Sequence, residues 1–152
     1  MIKYSITVSK DQIKNIKSLF GKLANLPKLL NPYLQLLGND LNFKIRQRTQ
    51  GGKDYKGSSF DEYSESYKKF REKKGRQTHA VNLTFTGQML NSMSKTLLNN
   101  NLVLNFLNAD QSKKAFYAHE KNRKFHLLSN AEKMFAHTSI DQSINTILKD
   151  YQ

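Results

Sequence analysis

Apolar residues recur at helical spacing along the first third of this chain, and that recurrence limits the fold more than any other feature. Ile13, Ile16, Leu19, Phe20 and Leu23 lie on one face of an amphipathic helix. Ser9 stands three positions before Gln12, the spacing of a capping box, so a helix is expected over about residues 10–24. Leu30, Leu34, Leu37, Leu41 and Ile45 form a second stripe. Pro27 suits a first helical position and Pro32 disturbs the hydrogen-bond ladder, so a separate helix is expected over about residues 32–49. Lys44, Arg46 and Arg48 suit the negative end of that helix.

Elsewhere the periods are mixed. Ile2, Tyr4, Ile6 and Val8 alternate with Lys3, Ser5 and Thr7, which predicts a half-buried strand. Gly51, Gly52 and Gly57 mark a flexible loop. Phe60, Tyr63, Tyr67 and Phe70 predict a short helix over residues 59–73, ending at Gly75. Met89, Leu90, Met93 and Leu97 predict another within residues 84–98, capped by Thr86. Asn99, Asn100 and Asn101 signal a turn, and residues 102–107 (LVLNFL) a strand. Residues 110–124 are polar and basic, with an apolar knot at Ala115, Phe116, Tyr117 and Ala118, and the segment 109–124 is expected to be an exposed arm. Phe135, Ile140, Ile144, Ile147 and Leu148 predict a helix toward residue 149. Two strands make a marginal sheet, so further strands are expected in 76–85, where Val81, Leu83 and Phe85 alternate, and in 121–128. The sum is one α+β domain over residues 1–152: a small, mostly antiparallel sheet packed with helices, with long mobile loops. It divides into a strand and helices (1–49), a loop-rich basic segment (50–82), and a core segment with a C-terminal helix (83–152).

Charge is the strongest chemical feature. The chain carries 25 Lys and Arg against 12 Asp and Glu, a net charge of +13. Residues 44–76 hold eleven basic and five acidic side chains, and residues 113–124 hold five basic and one acidic. Residues 77–110 balance to zero. Such a field attracts polyanions or acidic protein surfaces. Lys53, Lys56, Lys68, Lys69, Arg71, Lys73, Lys74 and Arg76 are the candidate contacts. Tyr55, Tyr63 and Tyr67 lie among them and could stack on bases, but their helical spacing favours a core role. No RRM, KH, zinc-finger or helix-turn-helix signature accompanies the charge.

Other chemistry finds little support. The absence of cysteine excludes disulfides, thiolate metal sites and a Cys nucleophile. His79, His119, His126 and His137 contain no i, i+4 pair, and His119 and Glu120 are adjacent and so diverge on a regular element. No metal or cofactor is expected. The acids are scattered, so a metal-dependent nuclease lacks its carboxylate cluster. Gly51-Gly52-Lys53 lacks the frame of a phosphate loop, and no GxSxG occurs. No enzymatic activity is expected. No apolar run reaches membrane-spanning length, and the first residues, MIKYSITVSKDQ, lack the apolar region of a secretory signal.

Three stretches in order resemble a known group. Residues 52–67 (GKDYKGSSFDEYSESY) are a glycine-bearing loop leading into a helix. Residues 83–92 (LTFTGQMLNS) carry Thr86, Gly87, Leu90 and Ser92. Residues 115–125 (AFYAHEKNRKF) carry Tyr117, Ala118, His119, Glu120, Arg123 and Phe125. With an amphipathic C-terminal helix, this layout resembles the phage virion-morphogenesis proteins, which include tail-completion and head–tail connector (neck) proteins. Where that family often has Phe-Gly after the His-Glu/Gln pair, this chain has Lys121-Asn122.

The resemblance implies a structural protein of a tailed-phage virion, made in the host cytoplasm. It implies a homo-oligomeric ring whose partners are other neck, portal-adaptor or tail proteins, with possible DNA contact and no membrane. The ten residues named in the second and third stretches are then its assembly residues, with Gly87 allowing close approach of a neighbouring backbone. The alternative is a free basic nucleic-acid-binding protein that uses residues 68–76.

Overall fold

Ser9 opens the structure, a computed structural model that describes residues 9–149. The strand expected over residues 2–8 lies outside the described residues. The elements run α1 (Lys10–Gln50), α2 (Glu65–Lys73), α3 (Gln88–Asn91), β1 (Met93–Leu98), β2 (Asn101–Phe106), α4 (Ala109–Glu120) and α5 (Asn130–Lys149). The architecture is a small α+β fold, as the residue patterns predict.

The capping box at the start of α1 is present. Ser9 Oγ accepts from the Gln12 amide at 3.1 Å, and the Gln12 side chain accepts from the Ser9 amide at 2.8 Å. The two helices expected within residues 10–49 are one helix of 41 residues, which runs through Pro27 and Pro32. Each proline withdraws one amide from the ladder, at a cost of about 3 kcal/mol. The second half of the apolar stripe packs on α5, and that burial works against the cost. Leu37 and Leu41 are buried, and Leu30, Leu34 and Leu37 face Ser139, Ile140 and Ser143 of α5. Arg48 meets Glu132 at the opposite end, so α5 runs antiparallel to α1.

Residues 84–98 are not one amphipathic helix. Only Gln88–Asn91 is helical, and Met93–Leu98 is a strand. Asn99 and Asn100 both take positive φ, 49° and 62°, which is a two-residue type I′ hairpin turn. β1 and β2 pair antiparallel from Leu98↔Asn101 to Met93↔Phe106. An isolated two-stranded hairpin is marginal in water, and here α1 supports it. The contact is close: a Cβ on Gly38 would lie 2.6 Å from Lys95 Cδ and 2.9 Å from Leu102 Cδ1. The strands expected within 76–85 and 121–128 are absent, and the described residues of both segments are irregular. The hairpin is covered by helices instead of by further strands.

Residues 110–124 are largely helix rather than an arm. Asn108 caps α4 by accepting from the Gln111 amide at 3.1 Å. The inward face of α4 is Gln111, Ala115, Ala118 and His119, too small and polar to read as a stripe. Phe116 and Tyr117, its largest side chains, point outward. The central core gathers Ile45, Phe60, Tyr63, Val81, Leu90, Met93, Ala115 and Phe125. Phe125 and Ile45 are fully buried, and each such side chain contributes about 1.5–3 kcal/mol.

Candidate functional site

The three stretches singled out in the sequence meet in one hub. Phe60 and Tyr63 come from the first, Leu90 from the second, and Ala115 and Phe125 from the third. Backbone turns place them. α1 ends in a Schellman motif: Gly52, at φ 76°, donates to Thr49 O and Lys53 donates to Arg48 O. α2 ends the same way at Gly75, and α4 at Asn122, where φ is 58°. Asn122 donates to His119 O at 2.9 Å and Arg123 to Ala118 O at 2.9 Å. Asn122 thus stands at a left-handed position, which asparagine tolerates better than most side chains. The turn delivers Arg123 and Phe125 into the hub.

Arg123 extends one Nη2 to within 3.4 Å of both the Asp61 and Glu62 carbonyls, and its guanidinium lies 5.7 Å from the Tyr63 ring. It therefore ties the third stretch to the first. Arg71 approaches the same ring at 4.6 Å, and also faces Tyr67 and Phe85. Its Nε donates to Gln77 O at 2.8 Å and its Nη2 to Thr84 O at 3.3 Å. Arg71 is only 2% exposed, so it is a structural cation and no contact for a polyanion. Its five aromatic and carbonyl neighbours come from residues 63–85, of which only Glu65–Lys73 is regular structure.

The other basic candidates fall into two groups. Lys68 bonds Glu65 at 2.9 Å and Glu62 at 3.0 Å, and those two hydrogen bonds raise its pKa above the ordinary lysine value. Lys53, Lys56, Lys69, Lys73, Lys74 and Arg76 are exposed. Lys53 donates to Ser59 Oγ, Lys56 lies near the Tyr55 ring, and Arg76 near the Phe85 ring. Tyr67 and Phe70 are stacked and partly exposed beside Lys69 and Lys73.

The second stretch is a packing element. Gly87 takes φ 79°, and a Cβ there would meet the Asn91 side chain, not a neighbouring backbone. Its conformation is what requires glycine. Thr86 does not cap α3: Gly87 holds the cap position, and Thr86 Oγ1 lies a long 3.4 Å from the Gln88 amide. Leu90 is 1% exposed, and Ser92 is buried with its Oγ donating to Met89 O at 2.8 Å.

In the third stretch, Ala118 packs on the core, whereas Tyr117 and Glu120 face solvent. The His119 and His126 rings lie 4.9 Å apart between centroids, tilted by 42°, beside a cleft of about 370 Å³ lined also by Phe106, Ala115 and Phe116. Burial, and secondarily the nearby His119, lowers the His126 pKa below 6.5. Among the described residues no three His, Asp or Glu side chains gather as a metal site. No helix among them is long and apolar enough to cross a membrane.

One tie has no counterpart in the sequence reading. Arg48 gives Nε to Glu132 Oε1 at 2.9 Å and Nη2 to Oε2 at 3.2 Å. The same Nη2 reaches the Phe125 and Leu127 carbonyls, each at 2.9 Å. Glu132 also accepts from the Ser129 amide, so the ion pair is joined to the capping box of α5. The signal available was Ser129 three positions before Glu132, the only acid in the first turn of α5. Comparison with protein-family models, curated proteins and solved structures finds no match to this chain.

Proposed function

We propose that this chain is a structural protein of a tailed-phage virion, a neck or tail-completion component that joins the tail to the DNA-filled head through ring assembly. The observation that carries the reading is the hub. Three stretches that resemble the virion-morphogenesis proteins, far apart in the chain, meet there through packing and backbone contacts: Phe60 and Tyr63, Leu90, Ala115 and Phe125. The resemblance therefore bears on residues that hold a domain together, which is what an assembly module needs.

Its mechanism is docking. Phe116 and Tyr117 are 59% and 67% exposed on adjacent positions of α4, an apolar patch for a neighbouring subunit. A surface that meets a different surface on the next copy closes a ring when the rotation allows. The exposed lysines of residues 53–76 then face acidic partner surfaces or DNA.

Complementation tests this. A phage lacking the gene, supplied with the chain carrying Phe116→Asp and Tyr117→Asp, should yield folded protein but no infectious particles. Wild-type yields from that variant would refute the docking role of α4. Arg123→Glu and Gly87→Val should also fail, through the hub.

A second reading has its own observation. Partly exposed Tyr67 ends an aromatic stack that runs through Phe70 to Phe85, and with the neighbouring Lys69 and Lys73 it offers a site for single-stranded nucleic acid. It predicts affinity that falls steeply with salt, with a log–log slope of ~0.7 per phosphate neutralised on a single strand. Absence of binding at low salt would dismiss it.

A further inference from the structure

The stripe on α1 is longer than the surface that covers it. Ile13, Ile16, Phe20, Leu23, Pro27, Leu30, Leu34, Leu37 and Leu41 follow strictly alternating steps of three and four. That is the a/d pattern of a coiled-coil seam. α5 fills the second half, against Leu30, Leu34 and Leu37. Among the described residues no element covers the first half: Ile13, Ile16, Leu23 and Phe20 are 43%, 49%, 46% and 66% exposed. Leu19, beside them, is 48% exposed.

We propose that residues 13–26 of α1 are a docking seam for the same segment of other copies of this chain, paired in parallel. Continuity is the first argument. The bare seam prolongs, in phase, a helix–helix interface that this fold already makes, so the complementary occupant is another helix with the same spacing. Residues 10–26, cut off from the body by two proline-weakened turns, are marginal as a lone helix in water. A partner helix would bury the seam.

Charge sets the orientation. With Ile13 at a and Ile16 at d, Lys10 and Lys17 fall at e, and Gln12, Leu19 and Leu26 fall at g. Antiparallel pairing sets e against e′ and brings lysines together. Parallel pairing sets g against e′, so Gln12 and Leu19 meet Lys17 and Ala24 of the next copy, with no like charges opposed. Leu19 and Leu26 also widen the seam on the g side, which suits bundles of more than two helices. An anionic lipid surface is the poorer occupant. Lys10, Lys14, Lys17 and Lys28 lie along one edge of the stripe, whereas the opposite edge holds Gln12, Leu19 and Leu26 with a single lysine, Lys22, behind them. A helix lying on anionic lipid gains most from cations along both edges of its apolar face. The inference stands apart from the virion reading, because it concerns the isolated chain.

The chain has no cysteine, which makes the test clean. Light scattering on the wild-type chain at high micromolar concentration should give at least twice the 17.6 kDa of a monomer. The Phe20→Glu/Leu23→Glu variant should be monomeric with an unchanged near-ultraviolet spectrum from the body. Ile13→Cys, oxidised with copper–phenanthroline, should form a disulfide-linked dimer, and adding the two Glu substitutions should abolish it. A monomeric wild type, association that survives both Glu substitutions, or no linkage at Ile13→Cys would overturn the proposal. So would a monomer that binds phosphatidylglycerol vesicles through the same residues.

Discussion

Replacing Glu132 with alanine removes the carboxylate that holds α1, the 125–127 segment and α5 together. Arg48 and Glu132 keep only 14% and 6% side-chain exposure, so solvent replaces little of what is lost. Breaking a buried ion pair by removing one partner costs about 3–5 kcal/mol. The Phe125 and Leu127 carbonyls still accept from Arg48, which argues for the lower end. Loss of the acceptor for the Ser129 amide, at 2.7 Å, adds about 1 kcal/mol as a lost cap. Glu132→Ala should therefore destabilise by about 4 kcal/mol in all. Urea unfolding followed by circular dichroism measures it, with the slope unchanged. At about 2–4 °C per kcal/mol for a chain this size, Tm should fall by roughly 8–16 °C. Arg48→Met should cost about 3 kcal/mol, and the double variant clearly less than the two losses added. A loss under about 1 kcal/mol for Glu132→Ala would mean the pair behaves as an exposed one and the reasoning fails.

Three further outcomes are expected. Gly87→Val forces a β-branched residue to φ 79° and should cost about 2 kcal/mol, against little for Thr86→Ala; equal effects would contradict the conformational argument. Gly38→Ala should destabilise by about 1–2 kcal/mol, because steric displacement of Lys95 and Leu102 outweighs the gain in helix propensity; a more stable variant would show that the hairpin yields freely. His126 has its pKa lowered in the fold, so the unfolded chain binds its proton more readily. Stability should thus fall as pH drops below about 6.5 and down through the lowered folded pKa, and His126→Phe should flatten that fall between the wild-type curve's two limits. A wild-type curve unchanged by the substitution would remove His126 as its source.

The α+β class, the α1 cap and α5 were legible because each rests on local chemistry. Ser9 and Gln12 satisfy each other's amides wherever the rest of the chain goes. What was not legible depended on distant partners. Pro27 and Pro32 argue for a break, and packing of Leu30, Leu34 and Leu37 on α5 overrides them. Met89, Leu90 and Met93 fit a helical period, yet Asn99-Asn100 in left-handed geometry turns the chain and makes Met93–Leu98 a strand. The dipeptide signals a turn in the sequence, and pairing of its two flanks as strands is the hairpin consequence of that signal. α4 stayed hidden because its inward face is Gln111, Ala115 and Ala118, whereas its bulky residues face out. Of the candidate contacts, Arg71 looked like every other cation in residues 68–76; its burial follows from Tyr63, Tyr67 and Phe85 closing round it.

The central claim is a role at the joint between phage head and tail. Electron microscopy of a lysate from a phage with this gene disrupted tests it most directly. The account predicts filled heads lying beside free tails, restored to whole particles by the wild-type chain. Whole, infectious particles in the absence of the gene would contradict it.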